Sequence, residues 1–589
     1  MNKLYTKFLF FTGKGGVGKT SLACAIAVKL ADEGSKVLLI STDPASNLSD
    51  VLGHEVNNEF TAHHELKNLI TININPEIAA NEYRERALNP IKETASAEEY
   101  HKIKEGLSGA CTTEIASFDE FSRFITGEGN PENFDHIIFD TAPTGHTIRL
   151  LELPAAWDSF LDKNPLGASC IGPSTALKSS KDRYKMVMNS LRDNHQTTIY
   201  LVSRSEKSSL KEAARTSAEL KALGLNNQKL LINGVFEATD KTDEIAVKFE
   251  TLAKRELDNM PETLKLLDIS KYPLLPYNVL GLTRLRSLLN KELQQSIISQ
   301  EINFSAGDQG SLSNLHELVD SLETEENSGL IMTMGKGGVG KTIVAASIAV
   351  MLAKRGHQVL LTTTDPAAHV NDFISQLNDL PATLTVERID PKVETKIYTD
   401  KIFEQKSKGL DEEGKKLLKE DLKSPCNEEV AVFHAFSKAI NKAKRQFVVM
   451  DTAPTGHTLL LLDTTGKYHQ EILKSTSINP ERITTPYMSL QNKAFAKILL
   501  IALPETTPMR EAEELQHDLQ RAGITPYGWV INQCLSTVQD LKDPILKKRA
   551  SNEGAIIEHI KNKLSKRTFL VPFIPEEKLL PAILTNYKA

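Results

Sequence analysis

The chain carries an eight-residue string, Gly13-Lys14-Gly15-Gly16-Val17-Gly18-Lys19-Thr20, that fits G-x-x-x-x-G-K-[ST]. The same string returns as Gly335-Lys336-Gly337-Gly338-Val339-Gly340-Lys341-Thr342. Glycines let successive backbone N–H groups converge on phosphate oxygens. Lys19 and Lys341 supply point charge to the β- and γ-phosphates, and Thr20 and Thr342 present a hydroxyl to Mg2+. The first string follows the apolar run Phe8 to Phe11 and precedes the helical pattern Ser21 to Ala27. That strand, loop and helix context makes the match specific, and Ser21 and Ile343 complete the two cradles.

Carboxylates recur in step with the cradles. Asp43 in Asp43-Pro44-Ala45 and Asp365 in Asp365-Pro366-Ala367 each end a second apolar strand. A carboxylate there holds water against a γ-phosphate or binds Mg2+ through one. Asp140 and Asp451 end the runs Ile137 to Phe139 and Val448 to Met450, the position of a Walker B acid. Each opens the segment D-T-A-P-T-G-H-T, at 140–147 and 451–458. Asn233 and Asn532 end later strands and could hydrogen-bond an adenine edge.

Three of the five cysteines form a second constellation. Cys111 and Cys426 share flanking Leu, Glu, Ala and Phe, so they are repeat equivalents, whereas Cys170 has no counterpart in the other copy. Equivalent positions of a two-fold pair can meet at its axis. Thiolates there would select a soft metal or metalloid, and trivalent arsenic or antimony takes three. The other reading of each is a small buried hydrophobe, which suits Cys24 and Cys534.

These residues need two similar scaffolds. The first cradle and the first Asp-Pro-Ala recur 322 residues later, the D-T-A-P segment 311 later, and Leu231-Ile232-Asn233 pairs with Val530-Ile531-Asn532 at 299. Order is kept while the offset shrinks, as loop deletions in a duplicated domain produce. Short apolar runs, at Lys7–Thr12, Val37–Ser41, His136–Asp140, Thr198–Ser203 and Leu230–Asn233, alternate with longer amphipathic segments. That alternation predicts α/β halves, each a mostly parallel sheet with helices on both faces. The halves are assigned to 1–295 and 329–589, with 296–328 as a polar tether. The charged stretch Glu412–Lys423 is read as helical and outside the sheet.

Composition bounds the function. Of 589 residues, 40% are hydrophobic and 25% charged, which excludes a disordered or multispanning chain. Lys+Arg 70 against Asp+Glu 76 leaves -6, so no global basic field holds nucleic acid. An odd five cysteines, and an apolar run at Phe8 to Phe11 that ends at Thr12 and Gly13, too short for a signal-peptide core, are read as placing the chain in the cytosol, without membrane insertion of its own.

The paired K-G-G-V-G-K-T and D-T-A-P-T-G-H-T motifs, with cysteines just ahead of E-I-A and E-V-A, resemble the arsenical pump-driving ATPase family over essentially the whole chain. The lysine after the first glycine, Lys14 or Lys336, is similar to that of deviant Walker A ATPases, which sandwich nucleotide between two halves. The resemblance implies a pseudodimer of tandem P-loop domains with two ATP and Mg2+ sites, each completed by the opposite lysine. It further implies an As(III) or Sb(III) site held by Cys111, Cys170 and Cys426, with His146, His457 and Ser424 as added ligands. The D-T-A-P-T-G-H-T segments become switches between metalloid and phosphate. Hydrolysis stimulated by arsenite or antimonite then powers an integral membrane efflux permease, a small metalloid chaperone acts as donor, and the protein attaches through the permease to the inner membrane face. The rival is a targeting ATPase for tail-anchored membrane proteins, which needs a C-x-x-C pair and a Met-rich groove; the chain has no C-x-x-C and 10 Met. An iron-sulfur donor of the nitrogenase type needs two thiolates per half, and Cys170 stands alone.

Overall fold

The structure, a computed structural model, describes residues 5–42, 47–89, 92, 100, 110–127, 133–141, 183, 185–301, 313–323, 327–364, 370–408, 411, 414–415, 418–419, 422, 426–452 and 485–586. The side chains of 76, 87, 110–115, 117, 301, 426–430 and 586 lie outside that set. The chain divides into two compact units, 1–237 with 253–303, and 238–252 with 304–589.

The first unit contains β1 (Phe8–Thr12), α1 (Lys19–Asp32), β2 (Val37–Ser41), α2 (Leu48–Leu52), β3 (Thr61–Ala62), β4 (Leu69–Asn73), α3 (Pro76–Leu88), α4 (Ala110–Thr126), β5 (His136–Asp140), β6 (Thr197–Ser203), α5 (Lys207–Ala222) and β7 (Gln228–Val235). After α6 (Glu244–Asp258), through which the division runs, come α7 (Glu262–Lys265), β8 (Asp268–Pro273), α8 (Leu282–Leu289) and α9 (Lys291–Glu301). Its eight strands run in the order β3-β4-β2-β5-β1-β6-β7-β8, parallel except where β3 pairs antiparallel with β4. Alternate residues of β1 supply opposite faces: Phe8 and Phe10 join one apolar core, Leu9 and Phe11 the other. Burial on both faces explains the unbroken apolar run, since a parallel sheet leaves neither side to water.

The second unit contains β9 (Ser313–Asn314), α10 (Leu315–Leu322), β10 (Gly329–Met334), α11 (Lys341–Lys354), β11 (Val359–Thr363), α12 (Val370–Ile374), β12 (Leu384–Arg388), α13 (Pro391–Lys406), α14 (Cys426–Lys442), β13 (Phe447–Asp451), α15 (Pro486–Gln491), β14 (Ala496–Ala502), α16 (Thr506–Arg521), β15 (Gly528–Cys534), α17 (Pro544–His559), β16 (Thr568–Pro572) and α18 (Leu579–Asn586). Its sheet runs β12-β11-β13-β10-β14-β15-β16-β9 and is parallel throughout. In each sheet the strand before the cradle is flanked by strands from different parts of the chain. Phe11 is level with Asp140 on one side and Tyr200 on the other, and Thr333 with Asp451 and Leu499. Such a point opens a crevice beyond the strand C-termini, where α/β sheets take ligands.

The tether expected over 296–328 is corrected in two places. α9 continues to Glu301, and 313–322 form β9 and α10. Leu315, Leu318, Val319 and Leu322 follow the i, i+3, i+4, i+7 rule and are fully buried in the second unit's core. The Asn314 side chain caps α10 by accepting from the N–H of His316 and Glu317. Within Glu412–Lys423, residues 414–415 and 418–419 are helical and 412–413, 416–417, 420–421 and 423 lie outside the described residues.

Candidate nucleotide sites

Each cradle is a turn that only glycine fits. Gly18 and Gly340 both have φ +90, and a Cβ on either would stand 2.1 Å from the Nδ2 atom of Asn233 or Asn532. Gly13 and Gly335 lie so close to the neighbouring strand that a Cβ would meet the Val202 carbonyl at 2.2 Å or the Ile501 carbonyl at 2.4 Å. Helices α1 and α11 start at Lys19 and Lys341 with neither a side-chain cap nor an acidic residue in the first turn. Their first N–H groups and positive dipole ends therefore face the loop, the arrangement that binds anions.

The asparagines reach the cradle from β7 and β15, each two strands along the sheet from the strand that precedes the loop. Asn233 Nδ2 donates to the Val17 carbonyl and Asn532 Nδ2 to that of Val339, each at 2.9 Å. One N–H of each carboxamide is thus committed to holding the loop, a role that the strand-end position did not announce.

The cradle lysines are nearly enclosed, Lys19 at 7% exposure and Lys341 at 6%. Lys19 Nζ donates to the Lys14 carbonyl at 3.3 Å, and Lys341 Nζ to the Lys336 carbonyl at 2.9 Å. Both ammonium groups therefore sit across the mouth of their own loop, where a phosphate would supply anionic oxygens. The two loop lysines differ. Lys14 Nζ donates to Ser208 Oγ at 3.1 Å, whereas Lys336 forms an ion pair with the buried carboxylate of Glu511. Sequence reading missed both partners. Glu511 stands opposite Glu212 in the repeat, at the 299-residue offset, but Glu212 pairs with Arg215.

A hydroxyl and a carboxylate meet beside each cradle lysine. Thr20 Oγ1 donates to Asp140 Oδ2, and Thr342 Oγ1 to Asp451 Oδ2, both at 2.7 Å. Thr333 and Thr363 also donate to Asp451, at 3.5 and 3.4 Å. Thr141 Oγ1 donates to the Phe11 carbonyl and Thr452 Oγ1 to that of Thr333, each at 2.8 Å, so the root of each D-T-A-P segment is pinned to the strand carrying the cradle. A hydroxyl and a buried carboxylate, both hard oxygen donors, fit Mg2+, which keeps several waters and takes few protein ligands. Thr20 with Asp140 and Thr342 with Asp451 would hold it, and bound there it would neutralise charge on the phosphate chain.

Several expected site residues lie outside the described residues: Asp43, Asp365, His146, His457, Cys170 and Ser424. Cys111 falls in the first turn of α4 and Cys426 begins α14, equivalent backbone positions, with their side chains outside the described set. Cys24 and Cys534 are free and buried. Burial pushes both thiols well above their ordinary range, with Asp140 adding to the effect on Cys24 and Glu553 to that on Cys534. They are inert hydrophobes at neutral pH. Among the described residues no helix is long and apolar enough to cross a membrane.

The chain matches the family model described as anion-transporting ATPase over residues 6–294, 328–479 and 461–579. It is 49% identical over 571 residues to an arsenical pump-driving ATPase of Escherichia coli, covering 97% of this chain and 96% of that one. It is 48% identical over the same shares to one from Acidiphilium multivorum. The ATPase GET3 of Candida glabrata is 29% identical over 306 residues, 48% of this chain and 87% of its own. Two complete cradles, each with its lysine, threonine and strand-end aspartate in place, and matches that span both repeats lead to one assignment: the chain belongs to the anion-transporting ATPase family and hydrolyses ATP.

Proposed function

We propose that ATP hydrolysis by this protein is stimulated by arsenite or antimonite and drives their extrusion through an integral membrane permease. The observation that carries the reading is the repeated Thr–Asp contact at the root of each D-T-A-P-T-G-H-T segment. One end of the segment is fastened beside the phosphate cradle; its other end carries His146 or His457. Full-length relatives named arsenical pump-driving ATPases support the same reading.

In this account Lys19 and Lys341 leave their loop carbonyls for the β- and γ-phosphates. Asp43 and Asp365 orient a water whose oxygen bonds to the γ-phosphorus while the bond to the β–γ bridging oxygen breaks, giving ADP and phosphate. Lys14 and Lys336 each act on the nucleotide of the other repeat, and Asn233 and Asn532 use their remaining polar atoms on adenine. Cys111, Cys170 and Cys426, with His146, His457 and Ser424, bind the metalloid as cargo. Its binding favours the state in which both switches engage ATP. A small chaperone delivers it, and the protein works in the cytoplasm, docked on the permease.

The test is the rate of Mg2+-dependent ATP hydrolysis with and without antimonite in the wild type, Lys19→Ala and Lys341→Ala. Stimulation in the wild type and a strong loss in each variant are expected; near-full stimulated rates in both variants would overturn the two-site account. No response to antimonite, together with capture of apolar C-terminal anchor segments, would favour the targeting reading instead.

A further inference from the structure

Three imidazoles crowd a loop that the second repeat lacks. Between α2 and β4 run sixteen residues, 53–68, where the second unit has nine, 375–383, between α12 and β12. The longer loop carries His54, His63 and His64, with ring centroids 4.7 to 5.5 Å apart. His54 Nδ1 and His64 Nδ1 face one another at 3.3 Å.

Hydrogen-bond accounting leaves this pair incomplete. His64 Nε2 lies 3.3 Å from the Glu65 carboxylate, which only accepts, so the His64 proton belongs on Nε2 and its Nδ1 offers a lone pair. His54 Nε2 is buried with no hydrogen-bond partner. If His54 donates through Nδ1 to His64, its buried Nε2 lone pair goes unmet. If its proton is on Nε2, that donor is unmet and two Nδ1 lone pairs face each other across the gap. Neither tautomer satisfies the ring.

A cation between the two Nδ1 atoms removes the lone-pair conflict, with the His54 proton left on its buried Nε2. Zn–N bonds of ~2.0–2.1 Å at a tetrahedral angle set the two nitrogens about 3.3–3.4 Å apart, and the observed separation is 3.3 Å. Glu65 on the far nitrogen of His64 is the carboxylate–histidine pairing that orients a metal-bound imidazole. His64 is exposed, which gives the ion an entry path.

We propose that His54 and His64 form a binding site for an imidazole-preferring divalent metal of the Zn2+, Ni2+ or Cu2+ class. Among the described residues no group of three His, Cys, Asp or Glu side chains could hold a metal ion, so the proposed site has two protein nitrogens and would take the rest of its shell from water. The ion fastens the end of α2 to the turn after β3. Because α2 starts five residues beyond Asp43, the site tethers the segment that leaves the first cradle's second strand, and in the first repeat alone.

The probe is Co2+ titrated into the full-length protein and read by visible absorption, in which nitrogen and oxygen ligands give d–d bands without the sulfur charge-transfer band of a thiolate site. One Co2+ per chain with the nitrogen-type spectrum, displaceable by Zn2+, is expected. Affinity should fall at least ~tenfold in His54→Ala and in His64→Ala, and less in Glu65→Gln. His64 is exposed, so His64→Ala keeps the proposal testable even if His54→Ala folds poorly. A thiolate-type spectrum alone, or unchanged nitrogen-type binding in His64→Ala, would overturn it. The readout involves neither ATP nor metalloid, so it stands or falls apart from the proposed pump function.

Discussion

Replacing Gly340 with Ala tests how the strand-end asparagine and the cradle are joined. A left-handed φ of +90 costs a non-glycine residue about 1–2 kcal/mol. The new Cβ would stand 2.1 Å from Asn532 Nδ2, a separation no contact survives, so the carboxamide must move and lose its bond to the Val339 carbonyl. Asn532 is buried, which puts that loss at about 1–3 kcal/mol. The single variant should therefore lose about 3 kcal/mol, and Asn532→Ala about 2 by losing the same bond. The double variant has no carboxamide to clash with and has already lost the bond, so it should cost about 3 rather than about 5 kcal/mol. Trp529, buried on β15 three residues from Asn532, reports unfolding of the second unit by fluorescence once Trp157, the other tryptophan, is replaced by Phe. Equilibrium urea unfolding of the four proteins in that background measures the coupling. Additive losses would refute the claim that glycine at 340 exists to admit Asn532.

Further outcomes follow from the same geometry. Thr342→Val removes the hydroxyl that bonds Asp451 at 2.7 Å, so half-saturating Mg2+ for hydrolysis should rise at least ~tenfold while Mg2+-free nucleotide binding persists; equal loss of both would contradict a metal role. Burial raises Glu553 from 4.5 to about 7, against the lowering effect of its bonds from the Ser536 and Leu535 N–H groups. The folded state thus holds this proton more tightly than the unfolded chain, and its stabilising effect, complete below about pH 4.5, is lost as pH rises through 7. Between pH 5.5 and 8 the second unit should lose about 2 kcal/mol from this group, a slope that Glu553→Gln abolishes in the Trp529 assay; an unchanged slope would rule out Glu553.

Local pattern and distant pairing were not equally legible in the chain. Val37–Ser41 and His136–Asp140 occur where the apolar runs placed them, and β6 and β7 extend only slightly beyond theirs. Parallel strands buried on both faces announce themselves by composition, and the cradle by its glycines. Helix α10 was hidden because its eight residues, apolar at helical spacing, are embedded in the longer polar stretch 296–328. Long-range partners were unequally legible. The Asn233 bond spans 216 residues, the Thr342–Asp451 bond 109 and the Lys336–Glu511 pair 175. The Thr–Asp pairs were recoverable as two motifs of one known use, whereas Glu511 belongs to no motif. The imidazole pair escaped because three histidines in a polar loop show no regular spacing.

Antimonite titration of the ATPase rate in the five single Cys→Ser proteins tests the central claim most directly. Cys111→Ser, Cys170→Ser and Cys426→Ser should each need at least ~tenfold more antimonite, equivalent to ~1.4 kcal/mol, with the unstimulated rate nearly unchanged because both phosphate cradles are intact. Cys24→Ser and Cys534→Ser should titrate like the wild type, since those thiols are buried and held protonated. Full activation of Cys426→Ser at wild-type antimonite concentrations would contradict a metalloid shared between the repeats.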